Sequence, residues 1–224
     1  VVDEQKKILK YYRKDITKYD EQNALRIHAV FDRLAPELND KNKRFYADSV
    51  EEGGRFDRLA DEFLWLKEAM ICNVAYNTTE PNVGLGINAE SSTLKCYVAD
   101  TGLLISMAFA ERQIIAEQVH SRILFDALEF NKGMIVENVV AQMLTVKGYN
   151  LFYYTMESET SHHLHEIDFL ISSGDKICPL EVKSGNYKNH KSLDAFCDKF
   201  SNRVKDKYVV HTKDYKWENG IYYI

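Results

Sequence analysis

The sequence predicts an α/β protein in which a helical first unit, residues 1–100, precedes a mixed-sheet second unit, residues 101–224. Two observations lead to this prediction. Residues 3–71 place apolar side chains at helical spacing, whereas residues 150–224 contain short β-rich runs separated by turn residues and one helical segment. The 224 residues are 45% apolar and 28% charged, which is the balance of a globular protein rather than of a disordered or fibrous one.

Three helices and then two strands make up the predicted first unit. The predicted helices and strands span Asp3–Tyr19, Glu21–Ala35, Arg55–Ile71, Cys72–Tyr76 and Thr93–Val98. Pro36 is expected to end the second helix because proline lacks the N–H of a helical hydrogen bond. This order of elements is that of a winged helix, a variant of the helix-turn-helix.

The third helix would be the DNA-reading helix of such a unit. Its expected inner face consists of Phe56, Leu59, Phe63, Leu66 and Met70. Its expected exposed face consists of Asp57, Arg58, Asp61, Glu62, Lys67 and Glu68. Acidic side chains outnumber basic ones on that face and would repel phosphates, so the sequence favours packing against protein over DNA reading by this helix.

The second unit is predicted to begin with helices and to continue with strands. Asp100 precedes an apolar run and predicts a helix start near Thr101. Further helices are expected at Ile114–Val119, Ile123–Phe130 and Gly133–Val146, the last with Met134, Ile135, Val139, Val140 and Met143 on its apolar side. The later predicted elements are strands Asn150–Thr155, Glu166–Ser172, Lys176–Lys183, Lys207–His211 and Gly220–Ile224, and a helix Lys191–Phe200.

Charge and cysteine usage limit the classes of partner. Residues 131–224 hold 12 basic and 12 acidic side chains, so the whole net charge of −5 arises from residues 1–130. This weakly acidic total argues against a nonspecific nucleic-acid coat but is compatible with a local basic site. No apolar run is long enough to cross a bilayer. The four cysteines lack zinc-knuckle spacing, so we expect buried, reduced thiols in a cytoplasmic protein without a membrane partner.

Three charged residues on two predicted strands are the strongest candidates for a functional site. Asp168 interrupts an apolar strand, and such a charge is costly unless something pairs with it. Glu181 and Lys183 lie two residues apart and therefore project from the same face of the next strand. The turn between the strands brings Asp168 beside Glu181, where a hard divalent cation would relieve the repulsion of two carboxylates.

These residues carry a resemblance to a known family. Glu137 on a helix, Ile167-Asp168 on one strand and Glu181-Val182-Lys183 on the next resemble the PD-(D/E)XK nuclease superfamily, although Ile167 replaces the proline of the first motif. The wider chain resembles the C-terminal region of a large prokaryotic family of AAA-type P-loop ATPases. The segments that carry this wider resemblance are residues 11–16, 95–104, 133–138 and 179–185.

The resemblance implies a winged helix followed by a restriction-endonuclease-like domain. It implies that Asp168 and Glu181 bind Mg²⁺ or Mn²⁺, that Glu137 binds the metal directly or through water, and that Lys183 assists the attacking water. DNA and the protein's own upstream ATPase module are the implied partners, and a homo-oligomer is left open. The chain contains no P-loop motif, so ATP is expected to bind only in an upstream module that is missing from it.

Other interpretations stay open on the same residues. Lys183 could instead form an ion-pair network with Asp168 or Glu181 in a non-catalytic interaction module of the ATPase, and DNA binding without cleavage is a third interpretation. The run His162–Glu166 could bind Zn²⁺ or Ni²⁺ but is expected to be an exposed loop. The aromatic run Phe152–Tyr154 is expected to be strand core rather than a base-stacking platform.

Overall fold

A computed structural model describes residues 1–19, 21, 23–109, 131–157 and 164–224. The two helices predicted within 114–130 lie outside these residues. The chain divides into two compact units: unit 1 comprises Val1–Val74 and Lys95–Gln142, and unit 2 comprises Ala75–Leu94 and Met143–Ile224. The boundary that we predicted after residue 100 falls inside the continuous stretch 95–142 of unit 1.

Unit 1 is built mainly from helices. Their bounds are α1 Val2–Tyr19, α2 Ala24–Asn39, α3 Ala60–Glu68, α4 Thr101–Ala108 and α5 Lys132–Val146, whose last four residues belong to unit 2. The core of these helices includes the fully buried side chains of Ile16, Leu34 and Leu66. Asp100 caps α4 as predicted, because its Oδ1 accepts a hydrogen bond from the Leu103 amide at 2.8 Å.

Two predicted helix boundaries in unit 1 were wrong. α2 continues through Pro36 to Asn39, since a proline so close to the end of a helix removes only one helical hydrogen bond. The third helix begins at Ala60, after a short 3₁₀ turn at Phe56–Arg58, and ends at Glu68. Met70, which we expected on the inner face, therefore lies beyond the helix and is 77% exposed.

The strands form one eight-stranded mixed sheet, which confirms the α/β class. Their bounds are β1 Cys72–Thr78, β2 Ala89–Val98, β3 Leu151–Glu157, β4 Leu164–Ser173, β5 Lys176–Lys183, β6 Lys207–His211, β7 Lys216–Glu218 and β8 Ile221–Tyr223. The order across the sheet is β2-β1-β3-β4-β5-β6-β8-β7. β5, β6 and β8 run parallel to one another, whereas β3, β4 and β5 form antiparallel pairs. β1 and β2, predicted as the wing of a winged helix, are part of this sheet.

The core of unit 2 lies between the sheet and α6, which spans Lys191–Lys199. α6 is amphipathic and buries Leu193 and Phe196 against β4 and β5. Tyr154 of β3 contacts Phe196 and Phe200 edge-on, with ring centroids 5.5 and 5.6 Å apart. The prediction that the aromatic run of β3 is strand core is thus confirmed.

Two smaller predictions can be compared with the described residues. All four cysteines are free and buried, as expected from their positions in apolar segments. Among the helices of the described ranges, none combines the length and the apolar character needed to cross a membrane.

Candidate active site

A bulge in β4 determines the position of Asp168. Phe152 of β3 pairs with Leu170 of β4, and Tyr154 pairs with Ile167, so β4 has one extra residue between these two pairs. Within this bulge the Oδ2 atom of Asp168 accepts a hydrogen bond of 2.7 Å from the backbone amide of Val182 in β5. The Asp168 carboxylate is therefore held against the segment of β5 that lies between Glu181 and Lys183.

Glu181 and Lys183 form an ion pair beside that contact. Nζ of Lys183 donates to Oε1 of Glu181 at 2.6 Å. The Glu181 side chain is 6% exposed, whereas that of Lys183 is 26% exposed. Both residues project from one face of β5 because they lie two positions apart on the strand. The structure thus brings Asp168, Glu181 and Lys183 together at the end of the β4–β5 hairpin, as the sequence predicted.

A cluster of aromatic and histidine side chains lies next to Lys183. His211 pairs in register with Lys183 across the parallel strands β5 and β6. The ring of Tyr187 stacks on that of His211, with centroids 4.4 Å apart, and meets the ring of Tyr223 edge-on at 5.6 Å. The Lys213 amide donates to Nδ1 of His211 at 2.9 Å, which leaves the proton of a neutral imidazole on Nε2.

His190 connects an acid to a tyrosine in the same cluster. Its Nδ1 lies 3.0 Å from Oδ1 of Asp194, and its Nε2 lies 3.0 Å from the hydroxyl of Tyr223. Burial raises the pKa of the Tyr223 phenol, so the hydroxyl keeps its proton at neutral pH and can donate it to an unprotonated Nε2. The carboxylate then accepts the Nδ1 proton, which fixes the tautomer and the orientation of the ring.

Glu137 has quite different surroundings within unit 1. Its Oε1 accepts hydrogen bonds from Nζ of Lys95 at 3.0 Å and from the hydroxyl of Tyr97 at 2.5 Å. Its Oε2 lies 2.8 Å from Nζ of Lys43. Burial opposes ionisation of this carboxyl, but the charges of Lys95 and Lys43 and the hydrogen bonds of Lys43 and Tyr97 outweigh it and lower the pKa of Glu137 to about 2.

The neighbouring Asn138 explains how α5 is oriented. Its side-chain amide accepts from the Val98 amide and donates to the Val98 carbonyl, each at 2.9 Å, as the backbone of an adjacent strand would. These bonds turn Glu137 and Asn138 inward. Val139 and Met143, which we expected on the buried side, are instead 38% and 63% exposed. Met134 and Val140 are buried as predicted, so the apolar spacing was right for part of the helix, and satisfied polar groups occupy the rest of its inner face.

The sequence analysis did not identify the partners of Glu137. Lys95 interrupts a run of buried β2 residues and is itself fully buried, so its charge is as costly without a partner as that of Asp168. The analysis also missed Tyr187, His190 and His211. The order of the predicted elements could have identified His211. It ends the strand that follows a helical crossover from β5, so it lies at the same sheet edge as Lys183. Glu62, predicted to be exposed, is 2% exposed and paired with Arg26 at 3.0 Å.

The structure describes only part of the histidine-rich run 162–166. His162 and His163 lie outside the described residues. Leu164 begins β4, and Nδ1 of His165 lies 3.3 Å from Oγ of Ser192 in α6. His165 therefore belongs to a strand rather than to the loop that we expected.

The donor set on the β4–β5 hairpin suits a hard cation such as Mg²⁺. In the part of the chain that the structure describes, no group of three or more His, Cys, Asp or Glu side chains is arranged to hold a metal. Mg²⁺, however, keeps several waters and is commonly held by one or two carboxylates together with substrate phosphate. Asp168 and Glu181 provide two carboxylates, which is the number of protein ligands that such an ion takes rather than a complete coordination sphere.

Two family models match separate parts of the chain. Residues 3–113 match the family model described as Domain of unknown function (DUF8612), and residues 132–224 match that described as Domain of unknown function (DUF4143). The DUF4143 domain is often found in proteins associated with AAA ATPases. No curated protein and no solved structure matches the chain. Each family match extends over less than half of the 224 residues and is a similarity of that part alone.

Proposed function

We propose that unit 2 hydrolyses phosphodiester bonds of DNA with the help of Mg²⁺ or Mn²⁺, using a centre formed by Asp168, Glu181 and Lys183. The observation that carries this proposal is the 2.7 Å hydrogen bond from the Val182 amide to Asp168, which fastens one carboxylate beside the other and beside a lysine. The resemblance to the PD-(D/E)XK superfamily supports the same assignment and a restriction-endonuclease-like fold.

Each residue would have a distinct role. Asp168 and Glu181 would hold the cation, which when bound supplies positive charge to a phosphoryl oxygen and lowers the pKa of a coordinated water. Lys183 would hold the attacking water or neutralise charge that develops on the phosphate. Glu137 enters the proposal as a structural residue rather than as a ligand, because both of its oxygens already accept from lysines.

We further propose that the chain is the C-terminal region of a AAA-type ATPase, with a winged-helix-like unit before the nuclease-like domain. The resemblance of four segments supports this proposal, as does the frequent association of DUF4143 domains with AAA ATPases. The upstream module would bind ATP and would be the nearest protein partner of unit 2.

Cleavage of supercoiled plasmid in about 5–10 mM Mg²⁺ or Mn²⁺, a concentration suited to a weak carboxylate site, tests the proposed chemistry. We expect the wild-type chain to nick the plasmid and Lys183→Ala to lose at least about 100-fold in rate, the scale of one transition-state contact. Lys176→Ala is the matched control, since Lys176 lies at the opposite end of the same strand. Equal activity in the wild type and Lys183→Ala, or activity that persists in EDTA, would overturn the proposal.

One observation favours a second candidate function. The 2.6 Å ion pair between Lys183 and Glu181 is what a non-catalytic interaction module of the ATPase would also contain. Such a non-catalytic module could also bind DNA without cleaving it. Absence of cleavage by a full-length protein supplied with ATP would favour it over the nuclease. Cleavage that depends on ATP would instead support the first proposal.

A further inference from the structure

A row of lysines follows the exposed side of α1. Lys6, Lys10, Lys14 and Lys18 are spaced four residues apart, and all four are exposed. Lysines at this spacing are neighbours on a helix surface and repel one another, which destabilises the helix when it stands alone. At 1.5 Å per residue the row is about 18 Å long. The row therefore concentrates positive charge along α1 and lowers the intrinsic stability of that helix.

Three of these lysines, Lys10, Lys14 and Lys18, line an open cleft between α1 and α2. The cleft has a volume of about 490 Å³ and is lined by Lys10, Arg13, Lys14, Thr17, Lys18, Glu21 and His28. Basic side chains outnumber acidic ones by four to one in this lining. The lining is therefore basic, although the chain as a whole has a net charge of −5.

Hydrogen bonds and an ion pair fix the walls of this cleft. Arg13 of α1 forms a two-point ion pair with Asp32 of α2. Oγ1 of Thr17 donates to the Arg13 carbonyl at 3.1 Å and lies 3.1 Å from Nε2 of His28, which can donate to it. These contacts join α1, which carries the lysines, to α2. A charged surface of fixed shape binds a polyanion with less loss of conformational entropy than a mobile tail does.

We infer that this lysine row and cleft bind the phosphate backbone of duplex DNA. One DNA strand advances 3.4 Å per phosphate, so about 18 Å of α1 spans roughly five phosphates. A membrane surface is a poorer occupant, because a basic helix binds lipid by inserting its apolar face. Ile16 on the apolar face of α1 is fully buried within unit 1. The site lies on α1 and α2. In a winged helix the third helix, here α3, would be expected to contact DNA instead.

This inference goes beyond the proposed function, since it needs neither a metal ion nor cleavage. The test measures anisotropy of a fluorescent 20-base-pair duplex of mixed sequence, in EDTA, with the full chain at about 50–200 mM salt. The variant Lys10→Gln/Lys14→Gln/Lys18→Gln removes three charges from exposed positions. The control Lys41→Gln/Lys67→Gln/Lys147→Gln removes three exposed charges elsewhere. Circular dichroism verifies that both variants keep the helical content of the wild type.

We expect the α1 variant to bind at least about tenfold more weakly at low salt. The slope of its log affinity against log salt concentration should become less negative by about two to three, since three phosphate contacts are lost. The control should change by less than about twofold, since its lysines make no phosphate contact. Three results would overturn the inference: no binding by the wild type, equal loss in both variants, or binding to single-stranded RNA or phosphatidylserine vesicles without binding to the duplex. Because EDTA is present throughout, failure of the nuclease proposal would leave this test unaffected.

Discussion

The two units each place an acidic residue in a buried position, and the partners of that residue differ. In unit 1, Glu137 meets two lysines and a tyrosine, so positive charge exceeds negative charge around it. In unit 2, the contacts of Asp168 and Glu181 include a backbone amide and one lysine, and two carboxylates share the same end of the β4–β5 hairpin. A carboxylate already neutralised by lysines has little to offer a cation. Two neighbouring carboxylates repel each other, and a bound cation relieves that repulsion.

The charges around an acidic residue, rather than the motif that it matches, distinguish a structural acid such as Glu137 from a candidate metal ligand such as Asp168. Glu137 matched the nuclease pattern as well as Asp168 did, yet the lysines at positions 43 and 95 give it another role. The following predictions test the difference between the two sites, beginning with the largest change.

Replacement of Glu137 by Gln should destabilise the folded chain strongly. The variant keeps the shape of the side chain but leaves the fully buried Lys95 without its 3.0 Å carboxylate. Loss of one partner from a buried ion pair costs about 3–5 kcal/mol in the free energy of unfolding. Urea denaturation measures this change. Glu218→Gln, in an exposed pair with Lys216, is the control and should behave like the wild type. A loss below about 1 kcal/mol in Glu137→Gln would contradict a structural role.

Acid should remove the same stabilisation. The pKa of Glu137 is about 2 in the folded chain, below its usual value of 4.5. A lowered pKa in the folded state stabilises the protein above the unfolded-state pKa, and this contribution is lost as the pH falls from about 5 towards about 2. Denaturation at several pH values should show a steeper fall in stability for the wild type than for Glu137→Gln. Parallel pH profiles would refute the assignment.

Asp168 should matter less for stability than Glu137 does. Asp168→Ala removes the acceptor of the Val182 amide in a partly buried bulge, at a cost of about 1–2 kcal/mol. Asp168→Asn retains an acceptor oxygen and should cost less than about 1 kcal/mol. Urea denaturation without divalent metal measures both variants. If Asn proved as costly as Ala, the negative charge itself would be the stabilising feature, and Asp168 would resemble Glu137 after all.

The smallest effect is expected at the tyrosine beside the candidate site. Tyr223→Phe removes the hydroxyl that lies 3.0 Å from Nε2 of His190 and should cost about 1 kcal/mol. Tyr222→Phe is a matched control, because successive residues of a strand point to opposite faces. Thermal unfolding of the two variants measures the difference. Equal stability of both would mean that the Asp194–His190–Tyr223 chain of contacts is not maintained in solution.

Local pattern was sufficient for much of unit 2. β5 and β6 have the bounds that the sequence predicted, because turn residues flank Lys176–Lys183 and apolar residues fill Lys207–His211. The proximity of the Glu181 and Lys183 side chains was predicted from their spacing alone, because residues two positions apart on a strand point to the same face. The bulge at Asp168 was not predictable, since it depends on the register with β3 rather than on β4 itself.

Unit 1 was harder to predict because long-range pairing overrides local spacing there. Lys95 lies 42 residues before Glu137 in the chain, and no local pattern connects the two. Glu137 and Asn138 share the inner face of α5 with Met134 and Val140, whereas Val139 and Met143 are exposed, since satisfied hydrogen bonds make polar residues acceptable inside. Candidate acids on a helix therefore need their partners to be known before a role is assigned.

Isothermal titration calorimetry with Mn²⁺ tests most directly the claim that the β4–β5 hairpin, and not Glu137, carries a metal site. The titration compares the wild type with Asp168→Asn and with Asp175→Asn, a control in the turn of the same hairpin. We predict saturable binding of Mn²⁺ to the wild type and to Asp175→Asn, and at least about a tenfold loss of affinity in Asp168→Asn, since one charged ligand is removed. Absence of saturable heat from the wild type, or equal binding by all three proteins, would contradict the claim.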